Sequence, residues 1–389
     1  MKIAILLNLA DKTSGGSFQF NSMIYETLFA RQSNIHHELF FVFEGDNDLG
    51  ARPDLALPSR LHHRFYFLLQ LIKEIFLFIS HMKKISLDNC RSSWLNRKLL
   101  AHDVKAVWSV NPLDLVINLP YLTTSWDISH KVTPYFKEIS DSALQLARQD
   151  KICRSVFARA FKIIVGTQIG KEELSNAFGI SSNRILVQAL PIPLPKSVKK
   201  LSRNQFQFIY PANFWSHKNH LVIIKAVRNL ITDENLPIKF IFTGSDKGNL
   251  QYVKDLVSHF ALDNYFEFKN FISREDLVEL YETSNACIYS SLIGPDNLPP
   301  LEALSFGSKA IVADIPGARE QFGVFVDYFD PFDSKSLSRL IKREIVGFNK
   351  DYEISKELLA FLQSRTSENY INSVIQELDK LNVILDLTV

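Results

Sequence analysis

The sequence predicts an α/β protein made of two doubly wound units, each a parallel sheet with helices on both faces. Three observations carry this. In the second half, short apolar runs alternate with helical stretches at a spacing that requires parallel strands joined by crossovers. The N-terminus reads as strand, glycine-containing loop and helix, the opening of a doubly wound unit. The 389 residues exceed one ordinary domain of about 100 to 200 residues, so two are expected.

Residues 2–7 are a continuous apolar strand. The polar stretch DKTSGGS (11–17) follows, then an amphipathic helix with Phe20, Ile24 and Leu28 on one face. Gly15 and Gly16 let the backbone approach a phosphate closely in front of that helix, or else form a plain tight turn. Further strands are expected at 38–43, 106–110, 121–126, 163–165 and 185–189, with a helix over about 142–160. The run PIPLPKSVKKLSRNQ (191–205) combines three prolines with basic and polar residues and reads as a linker. Beyond it, strands at 206–210, 239–243, 265–268, 286–289 and 310–313 are separated by helices at 221–231, 250–260, 274–283 and 300–306. Ser273 stands three residues before Asp276 and caps the third of these. The domain reading is therefore 1–190, a linker at 191–205, 206–365, and a C-terminal helix at 366–389 packing back on the first unit.

Composition narrows the function. Hydrophobic residues at 46% and charged ones at 22% are ordinary for a folded globular chain. A net charge of +2 gives no clustered basic face, which excludes nucleic acid as a partner. Three cysteines far apart in sequence imply neither a disulfide scaffold nor a zinc site, and a cytoplasmic location is expected. The opening MKIAILLNLA runs straight into Asp11 and Lys12 and reads as a buried strand rather than a signal peptide. Thirty phenylalanines either thicken the core or dress a face that meets lipid. The segment FYFLLQLIKEIFLFI (65–79) is too short to span a bilayer. With Gln70, Lys73 and Glu74 on one stripe and Arg60, Arg64, Lys83 and Lys84 flanking it, this helix is either core or a peripheral membrane contact.

The stretch SSLIGPDNLPPLEALSFG (290–307) is the chemical centre of the chain. A strand enters it, Pro299 and Pro300 open a helix, and Glu302 falls in the first turn, where a carboxylate can accept two vicinal hydroxyls. Lys218, in PANFWSHKNH, puts a full positive charge near a helix N-terminus, which suits a departing diphosphate. Thr243, Gly244 and Ser245 fit a nucleotide-approach loop. His130 lies just past a strand end, where an α/β fold faces its cleft.

These residues carry a resemblance. Leu298, Pro299, Leu301, Glu302 and Ala303 resemble the donor motif of retaining, GT-B-fold glycosyltransferases, the large family that includes sucrose synthases and lipopolysaccharide mannosyl- and rhamnosyltransferases. The string WSHKNH resembles the segment whose lysine grips the donor phosphates, and WDISHKVTPYF resembles the one that sets a histidine beside the transferred sugar. The resemblance implies two Rossmann-like domains facing a cleft and a metal-independent, retaining transfer of a sugar from a nucleotide-sugar donor. The acceptor would be a growing polysaccharide or lipid-linked glycan. It implies His130, Lys218 and Glu302 as catalytic residues, with Asp127 a weaker second to His130. Donor contacts fall to Gly15, Gly16, Asn213, Lys218, Gly244, Phe271, Gly294, Asp296, Asn297, Leu298 and Glu302. Pro316, Gly317 and Glu320 resemble a turn common after the motif, with Glu320 structural.

Two departures stand out. Gly294 occupies the place of the motif's first glutamate, which usually meets the donor sugar, and Asn213 that of a phosphate-binding arginine. These motivate one rival, a degenerate donor-binding subunit; another is a nucleotide-sugar epimerase or another α/β nucleotide-binding enzyme. Against the epimerase, the N-terminal loop lacks Gly-x-Gly-x-x-Gly, so a nicotinamide cofactor is not expected.

Overall fold

A computed structural model describes residues 1–9, 16–44, 53–57, 87–195, 206–231, 238–347 and 354–387. Gly15, the 65–79 segment and most of the linker lie outside these residues.

The first sheet has seven parallel strands: β1 (Lys2–Leu7), β2 (Glu38–Glu44), β3 (Leu55–Leu57), β4 (Ala106–Ser109), β5 (Tyr121–Thr124), β6 (Lys162–Val165) and β7 (Ile185–Val187). Their spatial order is β3-β2-β1-β4-β5-β6-β7. The second sheet has six: β8 (Phe206–Pro211), β9 (Ile238–Thr243), β10 (Phe266–Lys269), β11 (Ala286–Tyr289), β12 (Lys309–Ala313) and β13 (Asp327–Phe329), in the order β10-β9-β8-β11-β12-β13. In both sheets the chain starts at the centre, winds outward, then returns to wind the other way. The switch points fall between β1 and β4 and between β8 and β11, and such crevices at strand C-termini are where ligands bind in this architecture.

The helices are α1 (Gly16–Arg31), α2 (Leu87–Ala101), α3 (Ser129–Val132), α4 (Ala143–Arg159), α5 (Gln168–Phe178), α6 (His220–Ile231), α7 (Leu250–His259), α8 (Arg274–Thr283), α9 (Pro299–Ser305), α10 (Ala318–Phe322), α11 (Ser334–Val346), α12 (Lys356–Gln363) and α13 (Ser367–Leu387). Phe20, Ile24 and Leu28 are all buried on the inner face of α1. The Ser273 side chain accepts from Asp276 N–H at the start of α8, the cap read from the sequence. Strands predicted to run to Trp126 and Ala189 stop at Thr124 and Val187, where the chain turns into loops. The three-residue edge strands β3 and β13 carry too little pattern to be read from sequence.

The C-terminal helix α13 packs on the first sheet. Tyr370, Ile371, Val374, Leu378 and Leu381 join a buried cluster with Ile3, Ile5 and Phe41. Tyr370 meets Phe20 edge-on at 5.6 Å, and Thr27 Oγ1 lies 2.7 Å from Ser367 Oγ. The second unit has its own core around Phe208, Phe240 and Ile311. Leu298 packs against the core clusters of both units. No helix among the described residues is long and apolar enough to cross a membrane.

Candidate active site

Lys218 sits at the switch point of the second sheet. After β8 the chain forms a 3-10 turn over Ser216–Lys218, and Asn219, with φ +52°, takes the left-handed conformation that asparagine tolerates before α6 begins. The Lys218 carbonyl accepts from Tyr210 Oη at 2.5 Å and Ser290 Oγ at 2.9 Å, so its backbone is fixed on both sides. Its ammonium reaches the end of β11, donating to Tyr289 Oη at 3.1 Å and Ser291 Oγ at 3.2 Å. Both partners are neutral hydroxyls, so the positive charge keeps no anionic partner among these contacts. His220, two residues on, is core: it stacks on Phe214 at 4.8 Å, and burial pushes its pKa down to about 3.

Glu302 stands in the first turn of α9, directly after the 290–298 loop. Its Oε2 accepts from Arg274 Nη1 at 3.0 Å and from Tyr281 Oη at 3.1 Å. At 6% exposure the carboxylate is buried, with the Arg274 guanidinium beside it. Lys218 thus reaches the end of β11, and Glu302 stands in the helix that follows the loop leaving that strand.

Between them the motif loop is built tightly. Gly294 has φ +112°, and a Cβ there would lie 3.0 Å from Asn297 Oδ1, so the place of the motif's first glutamate favours glycine on both counts. Asn297 Nδ2 donates to Gly294 O at 2.7 Å and closes the loop, while Asn297 N–H donates to Gln321 Oε1 at 2.9 Å. The second departure has a local explanation as well. Asn213 Oδ1 accepts from Ser245 N–H at 2.9 Å and ties the loops after β8 and β9 together. Gly244, with φ +150°, allows the close pass there, since a Cβ would fall 2.4 Å from Ala212 O.

Three contacts join the units at this place. Asp296 accepts a hydrogen bond from the Gly166 N–H in the β6–α5 turn. Glu320 accepts from Gln168 N–H at 2.5 Å and Ile169 N–H at 3.2 Å, the open amides at the start of α5. Glu138 of the first unit accepts from His217 N–H at 2.9 Å and lies 2.8 Å from His217 Nδ1. Burial, then the neighbouring Lys218, pushes the His217 pKa down to about 4, against the opposing pull of Glu138. Burial tends to raise the Glu138 pKa, but its hydrogen bonds from His217 outweigh that and leave it lowered. A cavity of only about 10 Å³, lined in part by Asp127, Glu173 and Asp296, remains between the units at Asp296, room for about one water. Burial there pushes the Asp296 pKa up to about 7, against the pull of Arg365.

Several expectations need correction or sharper placement. His130 does not open onto the cleft: it is 5% exposed, 6.1 Å from the Phe178 ring, and neither ring nitrogen has a hydrogen-bond partner among the described residues. The reason is local. Asp127 Oδ1 accepts from Ser129 N–H at 2.8 Å, the chain turns into α3, and the first turn carries His130 inward under α5. Burial, then Lys131, lowers its pKa. Asp127 itself stays exposed. Phe271 is 43% exposed and so is not a core residue. Asp296 turns to Gly166 of the other unit, Gly16 lies at the exposed start of α1, and Gly15 is outside the described residues. Glu138, Tyr289, Ser291, Arg274 and Tyr281 are absent from the sequence reading. Tyr289 and Ser291 could have been found from their place at the end of a predicted strand, whereas Glu138 had no signal.

Comparison with known proteins gives the following. Residues 195–347 match the family described as Glycosyl transferases group 1. The O-antigen chain mannosyltransferase RfbU of Salmonella typhimurium (strain LT2) is 24% identical over 224 residues, which is 58% of this chain and 62% of that one. Sucrose-phosphate synthase from Thermosynechococcus elongatus is similar in structure, with a TM-score of 0.73 at 14% identity over 100% of both chains. HepE of Anabaena, solved in complex with UDP and glucose, has a TM-score of 0.69 at 14% identity, covering 98% of this chain and 100% of that one. The structural likenesses establish the fold as GT-B, two Rossmann-like units side by side.

Proposed function

Because the chain carries a glycosyl transferases group 1 domain at 195–347 in a GT-B fold, we propose that it is a glycosyltransferase. It would move a sugar, with retention and without a metal, from a nucleotide-diphosphate donor to a growing surface polysaccharide or lipid-linked glycan. The observation that carries this is Lys218, held by Tyr289 and Ser291 at the end of β11, the switch point of the second sheet, with Glu302 in the first turn of the helix that follows the same loop. In this reading Lys218 meets the diphosphate and Glu302 the ribose hydroxyls. Breaking the bond to the anomeric carbon leaves negative charge on the diphosphate. A cation whose hydrogen-bond partners among the described residues are neutral, fixed in advance by Tyr289 and Ser291, stabilises that charge without reorganising. The base and sugar are narrowed only by likeness: HepE is solved with UDP and glucose, and RfbU is named a mannosyltransferase. Uridine donors are the first to try.

Gly294 and Asn213 motivate a second reading, a donor-binding subunit without activity of its own. Incubation with a panel of nucleotide sugars separates the two. Release of nucleoside diphosphate, with an α-linked product from an α-linked donor by NMR, supports the transferase. Tight nucleotide binding with no turnover of any donor favours the subunit.

A further inference from the structure

We infer that His36, His37 and Asp379 form a binding site for a borderline transition-metal cation of the zinc class, one that would fasten the C-terminal helix to the start of β2. His36 and His37 follow the short turn Gln32–Asn34 and precede β2. Neighbouring side chains of a regular strand point to opposite faces. Here the backbone bends instead, and the two rings come within 4.2 Å, centroid to centroid. His36 Nε2 and His37 Nε2 lie 2.6 Å and 2.8 Å from the same oxygen, Asp379 Oδ1. One donor atom from each of the three residues falls within 4.8 Å of the others, a grouping found nowhere else among the described residues.

The donor set selects the ion. Two imidazoles and one carboxylate suit zinc and its neighbours, whereas calcium and magnesium prefer oxygen ligands alone. Bonds of about 2.0–2.1 Å to a tetrahedral ion need donors roughly 3.4 Å apart, so each nitrogen has to draw back only a little from the carboxylate. His37 is buried, with its side chain 1% exposed. Lys380 does not compete for Asp379, since it pairs with Glu377 at 2.6 Å. His37 Nδ1 lies 3.5 Å from the Met1 nitrogen. His36 and Asp379 keep side-chain exposures of 64% and 42%, which leaves the fourth coordination position open to solvent. The site is not part of the transfer cleft. It lies where the strands of the first sheet begin, and β2, at about 3.3 Å per residue, separates it from the strand ends.

The test uses the full chain stripped by a chelator and titrated with Zn²⁺ by calorimetry, with metal content and melting temperature measured in parallel. One equivalent should bind and raise the melting temperature, and Mg²⁺ should do neither. His36→Ala, at an exposed position, and Asp379→Asn, of the same shape, should each weaken binding more than the about tenfold typical of losing an outer-shell partner, and should abolish the thermal shift. His36→Ala should melt as the unsubstituted chain does in chelator. No Zn²⁺ uptake, uptake unchanged in both variants, or an equal response to Mg²⁺ would overturn the assignment.

Discussion

Replacing Gly166 by alanine tests whether the Asp296 contact joins the two units. A Cβ on Gly166 would lie 1.9 Å from Asp296 Oδ1 and 2.3 Å from its Cγ and Oδ2, where real contacts stay beyond 3.0 Å. The carboxylate must therefore retreat by at least 1.1 Å, which breaks its hydrogen bond from the Gly166 N–H. It cannot simply swing away within its own loop, because the next residue is held by Gln321 and by Gly294. Overpacking of this kind costs about 1–3 kcal/mol, and a hydrogen bond to a charged group is worth about 1.5–3 kcal/mol. Both describe the same retreat and do not add, so a loss of about 1–3 kcal/mol is expected, roughly 5- to 150-fold in the closed-to-open ratio.

The assay is a double-mutant cycle by urea unfolding, with small-angle scattering of each protein. All three of the nearest atoms to the new methyl belong to Asp296, so Gly166→Ala should be nearly neutral once Asp296→Ala is already present. Alone, it should destabilise the chain and enlarge its radius of gyration as the units part. If Gly166→Ala costs the same with and without Asp296, the strain lies in the backbone and the proposed contact does not hold the units together.

Three further outcomes are expected. Lys218→Ala removes the cation but leaves Tyr289 and Ser291 free to bond with water, so binding of UDP should weaken by about 1–3 kcal/mol; an unchanged Kd by calorimetry takes Lys218 out of the site. Glu302→Gln should erase a preference for UDP over its 2′-deoxy analogue, worth roughly 10- to 150-fold for a hydrogen bond to a charged acceptor; a preference that survives assigns the ribose to another residue. Asp296→Asn tests the buried carboxyl. Its folded pKa of about 7 exceeds the ordinary 3.8, so the folded chain holds the extra proton and stability falls as pH rises between those values. Unfolding stability of the unsubstituted chain minus that of Asp296→Asn should decline across this window and flatten above it. A flat difference would place Asp296 in contact with water.

What the sequence made legible was local. Short apolar runs marked the strands, and Ser273 marked the start of α8, because each depends on neighbours within a few positions. Lys218 and Glu302 were legible as types at a strand end and in a helix first turn. Their fixing was not, since Tyr289 meets Lys218 across 71 positions and Arg274 meets Glu302 across 28. Glu138 and His217 are 79 apart and in different units, with no periodicity to connect them. His130 was misread for the opposite reason. The rule that residues past a strand end face the cleft ignores a short helix beginning one residue earlier, whose first N–H is held by the Asp127 carboxylate.

The departures in the 290–298 loop also fit one another. A glutamate at 294 would meet both a left-handed backbone and the Asn297 amide beneath it, so restoring it requires the loop to be rebuilt rather than extended. The same loop sends Asp296 onto Gly166 and packs Leu298 against the cores of both units. In the proposed enzyme the segment that would read the donor sugar instead joins the halves, and it has no acidic side chain left over for sugar hydroxyls. If the first unit reads the sugar instead, Asp127, exposed and beside the cavity at Asp296, is the acidic group to test. Donor selectivity should accordingly respond to substitution at Asp127 while UDP affinity stays constant, which separates reading of the sugar from grip on the nucleotide.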